Sequence, residues 1–230
     1  MKIALCLCGI VGTDSKYGIG DKKINYKVAH KHFKDHLFNL DQEVDVFFHS
    51  WSTEYEDRLN KIYNPVSCEF EDQPFFSENP RTQATYCRWL STKKSIDLMR
   101  KSNNSYDFVL LTRFDIAFLV DFDFKKYDNQ KFYAQGPVGP FNNGLYLIND
   151  LWFFSSEENM IKLSSLYDCL EKPEYKKHIP FAGHELVRKH LLETDLDKKI
   201  EYIFKREWTG ASGKLSSDTP LIRWYYMNKV

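Results

Sequence analysis

Lys2 to Gly9, KIALCLCG, is an apolar run closed by a glycine. Unbroken apolar character suits a strand buried on both faces, as parallel strands are. The run is far shorter than the roughly 20 residues that cross a bilayer. It also lacks a basic flank and a small-residue cleavage site, so neither a membrane span nor a secretory leader is expected. Gly9, Gly12, Gly18 and Gly20 punctuate the polar loop that follows. From Tyr26 to Leu40, the residues Val28, Ala29, Phe33, Leu37 and Leu40 recur at helical steps among lysines and histidines, which predicts an amphipathic helix. Val44 to Phe48 is a second short buried strand, ending in His49-Ser50-Trp51.

Residues 54–79 are polar and aromatic, with Pro65 and Pro74 inside and Pro80 just beyond, and predict short strands and loops. Thr82 to Lys101 predicts a long helix with an apolar stripe through Ala84, Cys87, Leu90, Ile96 and Met99, stopped by Asn103-Asn104. The strongest strand signal is Asp107 to Thr112, DFVLLT, followed by Arg113-Phe114-Asp115 and a second apolar stretch from Ile116 to Val120. Helices over about Glu157 to Leu170 and Ala182 to Leu192, and a strand from Ile200 to Phe204, complete the pattern. Helical and strand periods interleave with no repeat and no linker. The expectation is one α/β domain over residues 1–230, a mainly parallel central sheet flanked by helices.

Charge narrows the partners. Lys+Arg 32 balance Asp+Glu 32, so no overall basic field gathers nucleic acid or anionic lipid. Aromatic residues are the compositional outlier at 16%, carried by 18 Phe, 14 Tyr and 5 Trp. The five cysteines are an odd number and fall inside expected strands and helices, which favours a reducing, cytoplasmic setting. Cys6-Leu7-Cys8 is too tight for a tetrahedral zinc knuckle.

In open α/β sheets ligands collect beyond the carboxyl ends of the strands. Three such ends can be named: Gly9 to Gly12, His49 to Trp51, and Thr112 to Asp115. Gly9-Ile10-Val11-Gly12 could bring backbone N–H groups to a nucleotide. It is neither a dinucleotide fingerprint nor a P-loop, and a turn needing positive φ explains it equally. Asp115, directly after a buried strand, could hold a divalent cation, or stand as a turn residue or the ion-pair partner of Arg113.

The segment Tyr106 to Phe124, YDFVLLTRFDIAFLVDFDF, resembles the central segment of GT-A glycosyltransferases, where an apolar strand leads into a DxD motif. In that register Asp115 matches the second, metal–diphosphate-binding aspartate and Arg113 replaces the first, where a guanidinium fork could meet phosphate directly. Asp121-Phe122-Asp123 is a literal DxD, but it lies downstream and reads as a turn or cap. Asp45 to Trp51, Asp150 to Ser156 (DLWFFSS) and Gly183-His184-Glu185 to His190 are similar to segments of small single-domain GT-A-like enzymes of bacterial and large-virus glycan clusters.

The resemblance implies a GT-A, Rossmann-like fold. It also implies transfer of a hexosyl or deoxyhexosyl group from a nucleotide-sugar donor to a hydroxyl of an oligosaccharide or glycan acceptor, with Mn²⁺ or Mg²⁺. The location it implies is cytoplasmic, in the host if the source is viral. Gly9, Gly12, His49, Arg113 and Lys214 are then donor contacts, with Lys214 in a small-residue loop, Trp208 to Asp218, that could close over the nucleotide. Asp115 and His184 are metal ligands, and Glu185 or Asp150 is the base that takes the acceptor's proton. Trp51 and Trp152 could offer flat faces to sugars, or be ordinary core. Turn formers at Phe141 to Gly144 are a further loop that could touch either sugar.

Other readings stay open. His184-Glu185 could simply favour a helix start. His184 and His190 are six apart, which excludes an H-E-x-x-H zinc site. His30, His32 and His36 read as a solvated helix face. A non-catalytic carbohydrate-binding protein on the same fold is the alternative, and a nucleotidyltransferase is a weaker one, because Gly9 to Gly20 carries only Lys16 as a basic residue.

Overall fold

The computed structural model describes residues 1–11, 26–118, 120–138, 147–178, 183–203 and 221–223. In chain order these form β1 (Lys2–Gly9), α1 (Tyr26–Phe33) running on into a π-helical turn (Lys34–Phe38), β2 (Glu43–Ser50), α2 (Glu56–Tyr63), β3 (Ser67–Phe70), α3 (Pro80–Lys101), β4 (Phe108–Arg113) and β5 (Ile116–Phe118). They continue with β6 (Phe132–Ala134), β7 (Pro137–Val138), β8 (Leu147–Ile148), β9 (Phe153–Ser155), α4 (Glu157–Ser164), α5 (Leu166–Cys169), α6 (Pro173–Lys176), α7 (Gly183–Glu193), β10 (Ile200–Tyr202) and β11 (Leu221–Arg223).

Seven strands make one mixed, mostly parallel sheet in the order β10-β6-β9-β4-β1-β2-β3, compatible with a Rossmann-like fold. β1, β2, β3 and β4 run parallel, and β9 is reversed between β4 and β6. The chain steps outward from β1 to β3, and α3 then carries it back so that β4 lies on the other side of β1. At such a reversal open α/β sheets take their ligands, in a crevice beyond the carboxyl ends of the strands, here those of β1 and β4. β11 pairs with β5, and β7 with β8, as separate antiparallel ribbons.

Period-two alternation sorts the strands onto two cores. Ala4, Cys6, Cys8, Val109, Leu111 and Phe153 face α3, α4 and α7, where Trp89, Ile96, Met99, Leu163 and Leu186 meet them. Ile3, Leu5, Leu7, Leu110 and Phe154 face the other way, onto α1 and a layer of rings.

α3 starts where Asn79 Oδ1 accepts from the N–H groups of Arg81 and Thr82, with Pro80 in the first turn, and ends before Asn103 at φ 57°. Its buried face differs from the expected stripe. Ala84 is exposed and Leu90 half-buried, while Gln83, Ser91, Thr92 and Ser95 are buried. The reason is polar: Gln83 bonds the backbone at Pro74, Phe76 and Ser77, and Ser91 bonds both β1 and β2, which sets the helix's rotation.

Three further expectations change. Residues 54–79 hold a helix, α2, because Leu59 and Tyr63 fall on one face behind the acidic first turn of Glu56 and Asp57, and Asn64 ends it at φ 43°. The helix expected over Glu157 to Leu170 breaks at Ser165 into α4 and α5. The three histidines are half-buried and partnered rather than a fully solvated face: His30 sits edge-on to Tyr63, His32 Nδ1 bonds the Phe118 carbonyl at 2.9 Å, and His36, in the π-helical turn, bonds Asp121 through Nδ1 at 2.9 Å. Asp123 caps the 3₁₀ turn after it, accepting from Lys125 N–H, as its reading as a cap expects. All five cysteines are free thiols. Among the described residues no helix is long and apolar enough to cross a membrane.

Candidate functional site

β1 ends at Gly9 with φ 109°, a conformation that side chains with a Cβ rarely adopt, and open space lies where a Cβ would stand. Backbone geometry, not crowding, requires glycine there. Gly9 N–H donates to Ser91 Oγ at 2.8 Å, and its carbonyl accepts from Trp51 N–H at 3.2 Å. The turn after β1 is thereby tied to α3 and β2.

β4 ends beside it. Cys8 and Arg113 are cross-strand partners in the β1–β4 register. Arg113 forks onto Asp115, Nε to Oδ1 at 2.7 Å and Nη2 to Oδ2 at 2.5 Å, with Asp115 buried. Burial works against the guanidinium's charge, but Asp115, and after it Asp150, more than offset this and raise its pKa. Arg88, one turn before Ser91 on α3, places Nη1 on the Cys8 sulfur and donates from Nη2 to the Asp150 carbonyl at 3.1 Å. Its buried Nε–H has no hydrogen-bond partner among the described residues.

The far wall is Asp150 and the start of α7. A Cβ on Gly183 would stand 3.0 Å from Asp150 Oδ2, so glycine lets the carboxylate reach the helix N-terminus, where the dipole favours negative charge. His184 Nδ1 lies 3.0 Å from the Ile148 carbonyl and 3.4 Å from Asp150 Oδ1. Both neighbours accept only, so Nδ1 bears a hydrogen, and in that neutral tautomer Nε2 is an acceptor.

Thus the structure gathers Gly9, Arg113, Asp115, Asp150 and His184 into one crevice. Glu185 is elsewhere engaged, bonded to His178 Nδ1 at 3.1 Å. His49 is a correction to its expected role as a donor contact. It is fully buried, with Nδ1 on Ser91 Oγ at 2.8 Å and Nε2 on Glu71 Oε1 at 3.2 Å, because β2 runs on through Ser50 and carries the ring under α3. Burial lowers its pKa to about 4 despite Glu71. The two candidate sugar platforms are also corrected: Trp51 is 7% exposed and packs edge-on to His49, and Trp152 is fully buried, stacked on Phe154. His190, fully enclosed between Tyr175 and the Lys162 carbonyl, is core. Gly12, Lys214 and the loop at 141–144 lie outside the described residues.

Sequence reasoning missed Arg88 and Ser91. The one local signal is that both are polar positions on a helix whose apolar period is weak, which does not say what they meet.

Among the described residues, those around Asp115 do not fit Mn²⁺ or Mg²⁺. Both its oxygens face the Arg113 guanidinium, and such ions gather about six oxygen ligands. Among the described residues the one group of three ligating side chains close enough to share an ion is His49, Glu69 and Glu71, to which neither Asp115 nor His184 belongs. Comparison with known proteins finds no family model and no curated protein that match the chain.

Proposed function

We propose that the chain is a nucleotide-sugar-dependent glycosyltransferase of GT-A type whose donor diphosphate lies beyond β1 and β4. The observation that carries this reading is the convergence of two arginines, Arg88 and Arg113, with the Asp150–His184 pair at the point where strand order reverses. Asp115 takes two of Arg113's N–H donors and orients the fork; in this reading the remaining donors bind phosphate. Arg88, whose Nη2 donates to the Asp150 carbonyl, adds a second positive charge beside it.

In the reaction the acceptor hydroxyl's oxygen bonds the anomeric carbon as the bond from that carbon to the diphosphate oxygen breaks. The hydroxyl proton passes to His184 Nε2, and Asp150 stabilises the imidazolium. The nucleoside diphosphate leaves with its developing charge held by Arg88 and Arg113. The alternative reading, a non-catalytic sugar-binding module, has two fewer platforms among the described residues, since neither Trp51 nor Trp152 offers an open face.

Calorimetric titration with UDP, GDP, CDP and ADP, each with and without Mn²⁺, tests this reading. At least one is expected to bind without metal, and Arg88→Met to weaken it by about tenfold or more, as loss of a charge-assisted hydrogen bond implies. Binding by none of the four would sink the reading.

A further inference from the structure

A second cluster of charged groups lies at the sheet edge. In the parallel β2–β3 register His49 stands opposite Glu69. Glu71 N–H bonds the Ser50 carbonyl at 3.2 Å, so the ladder continues past β3, and period two puts Glu69 and Glu71 on the face that His49 shares. α3 covers that face with Ser91 and Lys94, one turn apart. His49, Glu69 and Glu71 each offer one ligand atom, all within 4.8 Å of one another.

A cation is already held there. Lys94 Nζ bonds Glu69 Oε1 at 2.7 Å and Glu71 Oε2 at 2.8 Å. The histidine is built to serve two partners. While its Nε2–H donates to Glu71, Ser91 can donate to Nδ1 at 2.8 Å. When Nδ1 carries the proton, Ser91 Oγ accepts it and turns its own hydrogen to the His49 carbonyl at 3.3 Å, which frees the Nε2 lone pair for a cation. A hydroxyl locking the far nitrogen of a histidine is what a metal-ligating imidazole requires.

We propose that His49, Glu69 and Glu71 bind a divalent ion of the zinc class in place of the Lys94 ammonium. One imidazole and two carboxylates are an N/O set that zinc takes with a water in the fourth position, at about 2.0–2.2 Å from each protein atom. The ligands must draw inward to meet such distances. Glu69 and Glu71, with side chains 40% and 34% exposed, and Lys94, at 25%, have solvent to move through. Since Ser91 Oγ also accepts from Gly9 N–H, the bound ion ties the sheet edge to the turn that opens the crevice. The site stands apart from Asp115 and does not depend on the proposed transferase activity.

The test is calorimetric titration of the chelator-treated full chain with ZnCl₂. One zinc per chain is expected, with binding tightened at least about tenfold in Lys94→Met, which removes the competing charged hydrogen bonds. Binding should be lost in Glu69→Gln, whose exposed side chain leaves the fold intact by circular dichroism, and kept in Asp115→Asn. Absence of zinc binding in both the wild-type chain and a folded Lys94→Met variant would overturn the proposal. So would zinc binding that Glu69→Gln and Glu71→Gln leave unchanged.

Discussion

The two faces of the central sheet are covered by different means. On one side α3, α4 and α7 lie over small strand residues, Ala4, Cys6, Cys8 and Ala134, and the helices bring buried polar groups with them: Ser91, Thr92, Ser95, Asn159 and His190. On the other side helical cover is short, and rings do the sealing. Phe154 is stacked on Trp152 and Tyr133 and meets Phe108, Phe122, Phe124 and Tyr127 edge-on. Phe33, Phe48, Tyr63, Phe114 and Phe118 extend the layer toward α1.

The difference teaches where chemistry can sit. A ring layer offers few hydrogen-bonding atoms, so it can seal a sheet but not furnish a site. The helix-covered face can do both, because a helix supplies a polar atom every turn. Cys8, His49 and Arg113 all project to that side, and the crevice lies at its end. Among the described residues the aromatic side chains are chiefly a packing solution, and Trp51 and Trp152 are buried rather than open sugar platforms.

The largest expected effect is on the ring face. Phe154→Ala should cost about 3–5 kcal/mol, the range for emptying a fully buried aromatic site. Urea denaturation measures it, and a loss under about 1.5 kcal/mol, the level of a tolerated core swap, would show that the rings do not carry this face.

The Gly9→Ala variant probes the edge of the helix face. No atom of the described residues opposes the added methyl, so the cost is that of the strained φ, about 1–3 kcal/mol. The same denaturation experiment reads it, and nucleotide titration should show weaker binding if the turn contacts the donor.

pH tests the buried polar groups of the helix face. His190, hydrogen-bonded to Tyr175 and to the Lys162 carbonyl, has its pKa lowered chiefly by burial, so it is neutral in the fold. Below the ordinary value of 6.5 the unfolded chain takes up a proton first, and stability falls as pH falls. The slope is up to about 1.4 kcal/mol per pH unit. Denaturation midpoints at several pH values should show this component in the wild-type chain and not in His190→Gln. A pH dependence identical in the two would remove His190 from the account.

The smallest change is at the start of α3. Asn79→Ala removes the oxygen that accepts from Arg81 and Thr82 N–H and should cost about 1 kcal/mol. Thermal melts measure it. An effect several times larger would mean that α3's placement, and with it the crevice wall, depends on its first turn.

The strands were legible where burial made their pattern simple. β1 and β4 are unbroken apolar runs, and both lie in the middle of the sheet, covered on both faces. α2 was hidden because it buries only Leu59 and Tyr63, too few points to define a period. β6 was hidden because three residues cannot show one. Of the crevice, Gly9, Arg113, Asp115, Asp150 and His184 could be named from motif and strand position. Arg88 and Ser91 could not, because their partners on β1, β2 and beyond β8 are tens of residues away.

By itself the amino-acid sequence determined the α/β class, the parallel middle of the sheet and the strand ends where polar residues gather. These follow from local periodicity and from the cost of burying polar backbone without a ladder. Only the tertiary structure decided which polar residues meet. Arg113 turns to Asp115, His49 disappears beneath α3, Glu185 pairs with His178, and Trp152 joins the ring layer. Each outcome depends on which element lies across the sheet at that point, and distant packing sets that, whatever the neighbouring residues in the chain.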